Sequence, residues 1–135
     1  MTTRRTFLQI SAATLSALAL SRAGSSLAAN LPEFPGIIYT RNSPGKWSKK
    51  VESHAPVITV QGSQVTVETR HGMSDSHYIV RHTLVLADGT VVGAKTFTAR
   101  NKPVSNYTLP AGYKGMVKAT SFCNLHDFWL TTVEV

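Results

Sequence analysis

One thiol and five imidazoles carry most of the reactive chemistry open to this 135-residue chain. Cys123-Asn124-Leu125-His126 sets the thiol and an imidazole three residues apart, close enough for both to reach one metal ion. His71 and His77 bracket the polar stretch Gly72-Met73-Ser74-Asp75-Ser76, and Glu52-Ser53-His54 adds a carboxylate and another imidazole. Imidazole nitrogen and thiolate sulfur are donors that first-row transition metals prefer, so the set points to metal chemistry. Each pair alone is a weak signal. The same histidines read as solvent-exposed polar residues unless the fold brings them to one place.

The elements that must do so are short strands. Apolar residues alternate with polar ones, or run as β-branched stretches, over residues 57–60, 65–69 and 78–86, then 90–92, 95–99, 116–122 and 128–135. Asp88-Gly89 is a tight-hairpin dipeptide, and Asn101-Lys102-Pro103 and Leu109-Pro110-Ala111-Gly112 are turn-rich. No segment carries the apolar stripe of an amphipathic helix. About seven short strands with turns between them predict an all-β antiparallel sandwich. Four of the five histidines then fall in loops or at strand edges, placed to converge at one end. His82 is the exception: it alternates with Val80 and Leu84 on a strand, which predicts a hydrogen-bonded, partly buried side chain outside the site.

The chain is long enough for one domain, and 42% hydrophobic residues exclude a disordered one. Its first residues read as an address. Arg4-Arg5 precede Phe7-Leu8 and a weakly apolar run over residues 10–20, and Ser26-Leu27-Ala28 supplies small residues for a peptidase. This predicts a twin-arginine export signal over residues 1–28, cleaved after Ala28, and a periplasmic mature protein of 107 residues. Arg4, Arg5 and Arg22 leave with the signal, so the mature chain keeps eleven basic against seven acidic residues, a net charge of +4 rather than +7. No basic stripe with interleaved aromatics survives, which argues against a nucleic-acid partner and favours small anions. No apolar run approaches the ~20 residues of a membrane span, so no stable membrane insertion is expected. Residues 29–50, rich in proline and glycine, predict an irregular segment ahead of a domain over residues 51–135.

Three blocks, Glu52-Ser53-His54-Ala55-Pro56-Val57-Ile58, His71-x-Met73-x-x-x-His77-Tyr78-Ile79 and Cys123-Asn124-Leu125-His126-x-x-Trp129, resemble the signature blocks of superoxide reductases, the neelaredoxin and desulfoferrodoxin family. The resemblance runs from about Lys46 to the end of the chain and fits the single-iron class, because one cysteine cannot build a second, four-cysteine site. It implies an immunoglobulin-like seven-stranded sandwich holding one mononuclear non-haem iron, Fe2+ or Fe3+. His54, His71, His77 and His126 would be its equatorial ligands and Cys123 its axial one. The activity implied is one-electron reduction of superoxide to hydrogen peroxide, without dioxygen, at an open sixth position. Glu52 matches a glutamate that occupies that position reversibly in the oxidised form.

The chain departs from the family pattern at three positions. Ser53 stands where many members have a lysine that attracts superoxide; Lys49, Lys50 or Lys46 could supply positive charge from nearby, since steering depends on the summed field. Gly72 replaces a usual proline and Asp127 a usual glycine; a carboxylate there opposes anion approach if it faces the iron. Trp129 and Phe128 are expected in the core beside the Cys123 loop, Trp47 over the N-terminal segment, and Met73 as a cap over the iron. Nothing suggests a flavin, nicotinamide or haem site, so an external redox protein is the expected electron donor. A homo-oligomer is left open. Two other readings are a non-enzymatic exported iron-binding or electron-transfer protein of the same fold, and an exported binding module with a zinc-filled site.

Overall fold

A computed structural model describes residues 34–135. The predicted signal, with Arg4, Arg5 and the cleavage point after Ala28, lies outside the described residues. Among those described there are eight strands: β1 (Ile38–Tyr39), β2 (Val57–Gln61), β3 (Gln64–Glu68), β4 (Ile79–Leu86), β5 (Val91–Thr96), β6 (Val104–Thr108), β7 (Met116–Cys123) and β8 (Asp127–Glu134). They form a five-stranded sheet of order β1-β8-β7-β4-β5 and a three-stranded sheet of order β2-β3-β6. All pairings are antiparallel except β1 with β8. A six-residue 3-10 helix (Gly45–Lys50) runs into the single-turn helix α1 (Val51–His54). No helix of the described residues is long and apolar enough to cross a membrane.

The alternation read from the sequence is what fills the core. Val65 and Val67 of β3, Leu84 and Leu86 of β4, Tyr107 of β6, and Val117 and Ala119 of β7 all face inward, with Leu109 completing the cluster. Full burial of one such aliphatic side chain is worth about 1.5–3 kcal/mol, enough to fix strand register because a one-residue slip would turn the whole set outward. The Asp88-Gly89 hairpin forms as predicted, with Gly89 at φ 91° and the Asp88 carboxylate accepting from the Thr90 amide at 2.9 Å.

Three elements differ from the sequence reading. The runs 90–92 and 95–99 are one strand, β5, interrupted in pattern by Gly93. A Cβ there would sit 2.8 Å from Tyr107 Cδ1, so the glycine makes room for that ring. Strand β6, Val-Ser-Asn-Tyr-Thr, was hidden between two turn-rich stretches because its inward residues are Ser105 and Tyr107 rather than two aliphatics. The segment expected to be irregular contains β1 and the 3-10 helix, and Tyr39 buries itself with Ala55 and Trp129 in a second cluster.

Antiparallel register explains why loops distant in sequence meet. The start of β2 pairs with the end of β3 (Val57↔Glu68), the start of β4 with the end of β7 (Ile79↔Cys123), and the end of β7 with the start of β8 (Cys123↔Asp127). His54 precedes β2, His71 follows β3, His77 precedes β4, Cys123 ends β7 and His126 precedes β8. All five therefore sit at strand ends.

Candidate metal centre

His54 closes α1 and is 2% exposed; His71, His77 and His126 are half-buried on their loops, and Cys123 is fully buried. Their donor atoms converge. His54 Nε2 lies 2.9 Å from His126 Nδ1, His77 Nε2 lies 3.0 Å from the same Nδ1, and His71 Nε2 lies 3.0 Å from His77 Nε2. Cys123 Sγ is 3.5 Å from His126 Nδ1. The donors of His54, His77, Cys123 and His126 all fall within 4.8 Å of one another, and His71 joins through His77. Neighbouring rings, taken in the order His54, His71, His77, His126 and back, have centroids 4.4–4.7 Å apart and planes inclined at 71–87°. The rings thus close a four-bladed circuit, each blade nearly edge-on to the next.

The donor set fits a metal ion. His126 Nδ1 faces three donors, and a single ring nitrogen cannot satisfy all three by hydrogen bonding. One cation engages every lone pair at once. Two nitrogens each about 2.1 Å from a shared ion stand about 3.0 Å apart at a right angle and about 3.4 Å apart at a tetrahedral one. The observed 2.9–3.0 Å fits right-angle ligands of one ion, a spacing that N–H···N hydrogen bonds share, so it is the convergence of several donors on one nitrogen that points to a cation.

The electrostatics suit ligation. Burial, and then the neighbouring His71 and His126, push the His54 pKa down to about 3; burial and then His77 push His71 down to about 4. Burial followed by His77 also lowers His126. These rings are neutral at pH 7, the form that binds metals. Burial raises the Cys123 thiol above its ordinary value, so its thiolate needs a cation beside it. Among the described residues, His54 alone of the four has a well-formed outer partner. Its Nδ1 is 2.7 Å from Ser53 Oγ and 3.2 Å from the Lys50 carbonyl, to which Ser53 Oγ also donates at 3.2 Å. An N–H at Nδ1 satisfies both oxygens and leaves the Nε2 lone pair for the ion. His71 Nδ1 is buried without such a partner.

The remaining candidates are more dispersed. Lys50 is half-buried and close enough to act electrostatically on His71, Cys123 and His126, whereas Lys49 is exposed and is not among the charges acting on them. Glu52 lies outside the donor cluster, its side chain 78% exposed and paired with Arg41. The Asp127 carboxylate turns to Trp47 Nε1, which donates to it at 3.1 Å, and to Lys46 Nζ at 3.6 Å. Trp47 packs edge-on to His126 with centroids 4.6 Å apart, so it belongs to the centre rather than to the N-terminal segment alone. No local spacing could have shown this, since Trp47 and its partner Asp127 are 80 residues apart. Trp129 is buried as expected, but Phe128 is 42% exposed and stacks on Phe122, because alternation along β8 sends only one of the pair inward. Met73 packs with Ile79 and Phe97 against Cys123. His82 is fully buried, hydrogen-bonded and clear of the cluster.

Comparison with known proteins agrees with this geometry. The desulfoferrodoxin family matches residues 46–132. A variant of the superoxide reductase (neelaredoxin) of Ignicoccus hospitalis is 25% identical, with a TM-score of 0.69 over 78% of this chain and 98% of that one. A superoxide reductase in its oxidised state is 26% identical, with a TM-score of 0.58 over 73% and 95%. A variant of the Archaeoglobus fulgidus superoxide reductase (neelaredoxin) in its reduced form is 25% identical, with a TM-score of 0.57 over 62% and 90%. No curated protein sequence matches. Matched over more than half its length, with a β-sandwich shared with superoxide reductases and a cluster of three histidines and one cysteine compatible with a single non-haem iron, the chain belongs to the desulfoferrodoxin family.

Proposed function

We propose that this protein is an exported superoxide reductase, which adds one electron and two protons to superoxide and releases hydrogen peroxide without forming dioxygen. The observation that carries the reading is the convergence of imidazole nitrogens and a buried thiol on one small volume. When bound, iron in such a donor set supplies one-electron chemistry between its ferrous and ferric states.

The chain's own residues do the rest. His54, His71, His77 and His126 would hold the ion as neutral donors, with Cys123, once deprotonated, as the thiolate ligand. Lys50 raises the positive potential at the cluster and draws the superoxide anion toward it, with Lys49 adding to the field from the surface. Asp127, tied to Lys46 and Trp47, spends its charge there rather than on an incoming anion. Glu52 is assigned as a reversible ligand that must first leave Arg41, an exposed ion pair that is weak enough to exchange. An external redox protein would supply the electron, and the twin-arginine motif read in residues 1–28 supports a periplasmic location.

Metal content and visible absorption of the purified, oxidised protein test the reading. One equivalent of iron is expected, with a charge-transfer band that Cys123→Ser abolishes and Glu52→Ala spares, together with superoxide consumption that releases no dioxygen. Zinc, or no metal after reconstitution with ferrous iron, would reject it. A non-enzymatic electron-transfer protein is the second reading, favoured by Ser53 in place of the family's lysine. A single oxidation of the iron by superoxide without turnover, in the presence of reductant, would select it.

A further inference from the structure

We propose that Asp127 is a positioning residue for the metal centre, holding the Trp47 indole against His126 and so fixing that ring. The inference rests on the reading that the cluster binds iron. Asp127 is the only non-glycine among the described residues with a positive φ, 64°. A left-handed backbone costs a residue with a Cβ free energy that glycine does not lose, and such strain persists where surrounding contacts hold it. Those contacts are visible. Asp127 Oδ2 accepts from Trp47 Nε1 at 3.1 Å and lies 3.6 Å from Lys46 Nζ, while Lys46 also sits 4.8 Å from the Trp47 ring centroid.

The held ring is the one that needs holding. His126 Nδ1 is the atom shared by His54, His77 and Cys123, so a small rotation of this imidazole disturbs three neighbours together. His54 is oriented by hydrogen bonds at its outer nitrogen, but among the described residues His126 makes no such bond at Nε2. Its backbone is anchored by Trp129 Nε1, which donates to the His126 carbonyl at 3.0 Å; its ring is braced by Trp47. Asp127, next in sequence to His126, thus locks the ligand loop to the 3-10 helix through Trp47.

Two measurements on the full chain test this. Trp129 is fully buried, so acrylamide quenching of indole fluorescence reports on Trp47. In iron-free protein Asp127→Gly should increase quenching, whereas Asp127→Asn, which tolerates the left-handed backbone and keeps an oxygen to accept the indole N–H, should not. In ferrous-loaded protein, Asp127→Gly and Trp47→Phe should each speed iron loss to excess chelator by about tenfold. The double variant should be no faster than either alone, because the two residues act in series. Asp127→Gly relieves backbone strain, so faster iron loss without a lower Tm excludes general destabilisation. Unchanged quenching and iron loss in Asp127→Gly, additive effects in the double variant, or Asp127→Asn behaving as Asp127→Gly would overturn the proposal. Wild-type protein that takes up no iron would instead overturn the metal reading, and the quenching comparison would still decide whether Asp127 holds Trp47.

Discussion

Buried histidine occurs in two settings in this sandwich, and they follow opposite rules. His82, between the sheets, has both ring nitrogens 2.9 Å from hydroxyls, Thr69 Oγ1 on one side and Ser105 Oγ on the other. Thr69 Oγ1 in turn donates to Ser121 Oγ at 2.8 Å, and all four side chains are buried. One proton assignment satisfies the whole chain: Ser105 donates to His82 Nδ1, His82 Nε2 donates to Thr69, and Thr69 donates to Ser121. At the strand ends, His54, His71, His77 and His126 point their inner nitrogens at one another and find no hydroxyl there. A fold stabilises a buried imidazole by surrounding it with partners, and it prepares a metal site by withholding them on one side.

The contrast breaks most sharply at His77, whose Nε2 contacts two other donors. His77→Ala should lower iron affinity by more than about 100-fold, beyond the range for supporting residues, and the rise in Tm on iron loading should vanish. Differential scanning of metal-free and loaded protein would show both. At His82 the expected effect is on folding and its pH dependence. Burial, then Lys95, lowers its native pKa to about 4, while the unfolded chain binds the proton near 6.5. The unfolded state therefore holds more protons between those values. Stability falls as pH drops through that window, by up to about 3 kcal/mol. Denaturant titrations of metal-free wild type and His82→Gln from pH 7 to pH 4 should show the variant with the shallower loss.

Smaller effects sharpen the comparison. Ser53→Ala removes the shorter of two outer contacts at His54 Nδ1 but leaves the Lys50 carbonyl, so iron affinity should fall by about tenfold in chelator competition. Ser53→Thr, which keeps the hydroxyl, should restore it. Arg41→Ala breaks an exposed ion pair and should change stability by less than about 1 kcal/mol. If Glu52 is a reversible ligand, freeing it should nonetheless shift the oxidised spectrum toward the carboxylate-bound form, and an unchanged spectrum would remove Glu52 from the site.

Much of the fold was legible because strand alternation is local. The runs that became β2, β3, β4, β7 and β8 each carry their own period-two pattern, and Asp88-Gly89 carries its own turn. What escaped was wherever neighbours from another strand set the outcome. Gly93 breaks the pattern of β5 because Tyr107 needs the space, and β6 buries Ser105 because His82 supplies a partner. The five expected metal donors were nameable from residue type and motif, yet Trp47 was not connected to the centre and Ser53 was marked only as a missing lysine, because neither the Trp47–His126 packing nor the Ser53–His54 hydrogen bond has a spacing that marks it.

By itself, then, the sequence determined the donor types, the strand pattern and the family outline, since each is written in residues close together along the chain. Tertiary structure alone decided that His54 and His126, 72 residues apart, would stand 2.9 Å from one another, that Asp127 would turn from the cluster to Trp47, and which hydroxyls would partner His82. The physical reason is register: hydrophobic burial fixes how the strands pair, and the pairing, not the local pattern, determines which strand ends share one small volume.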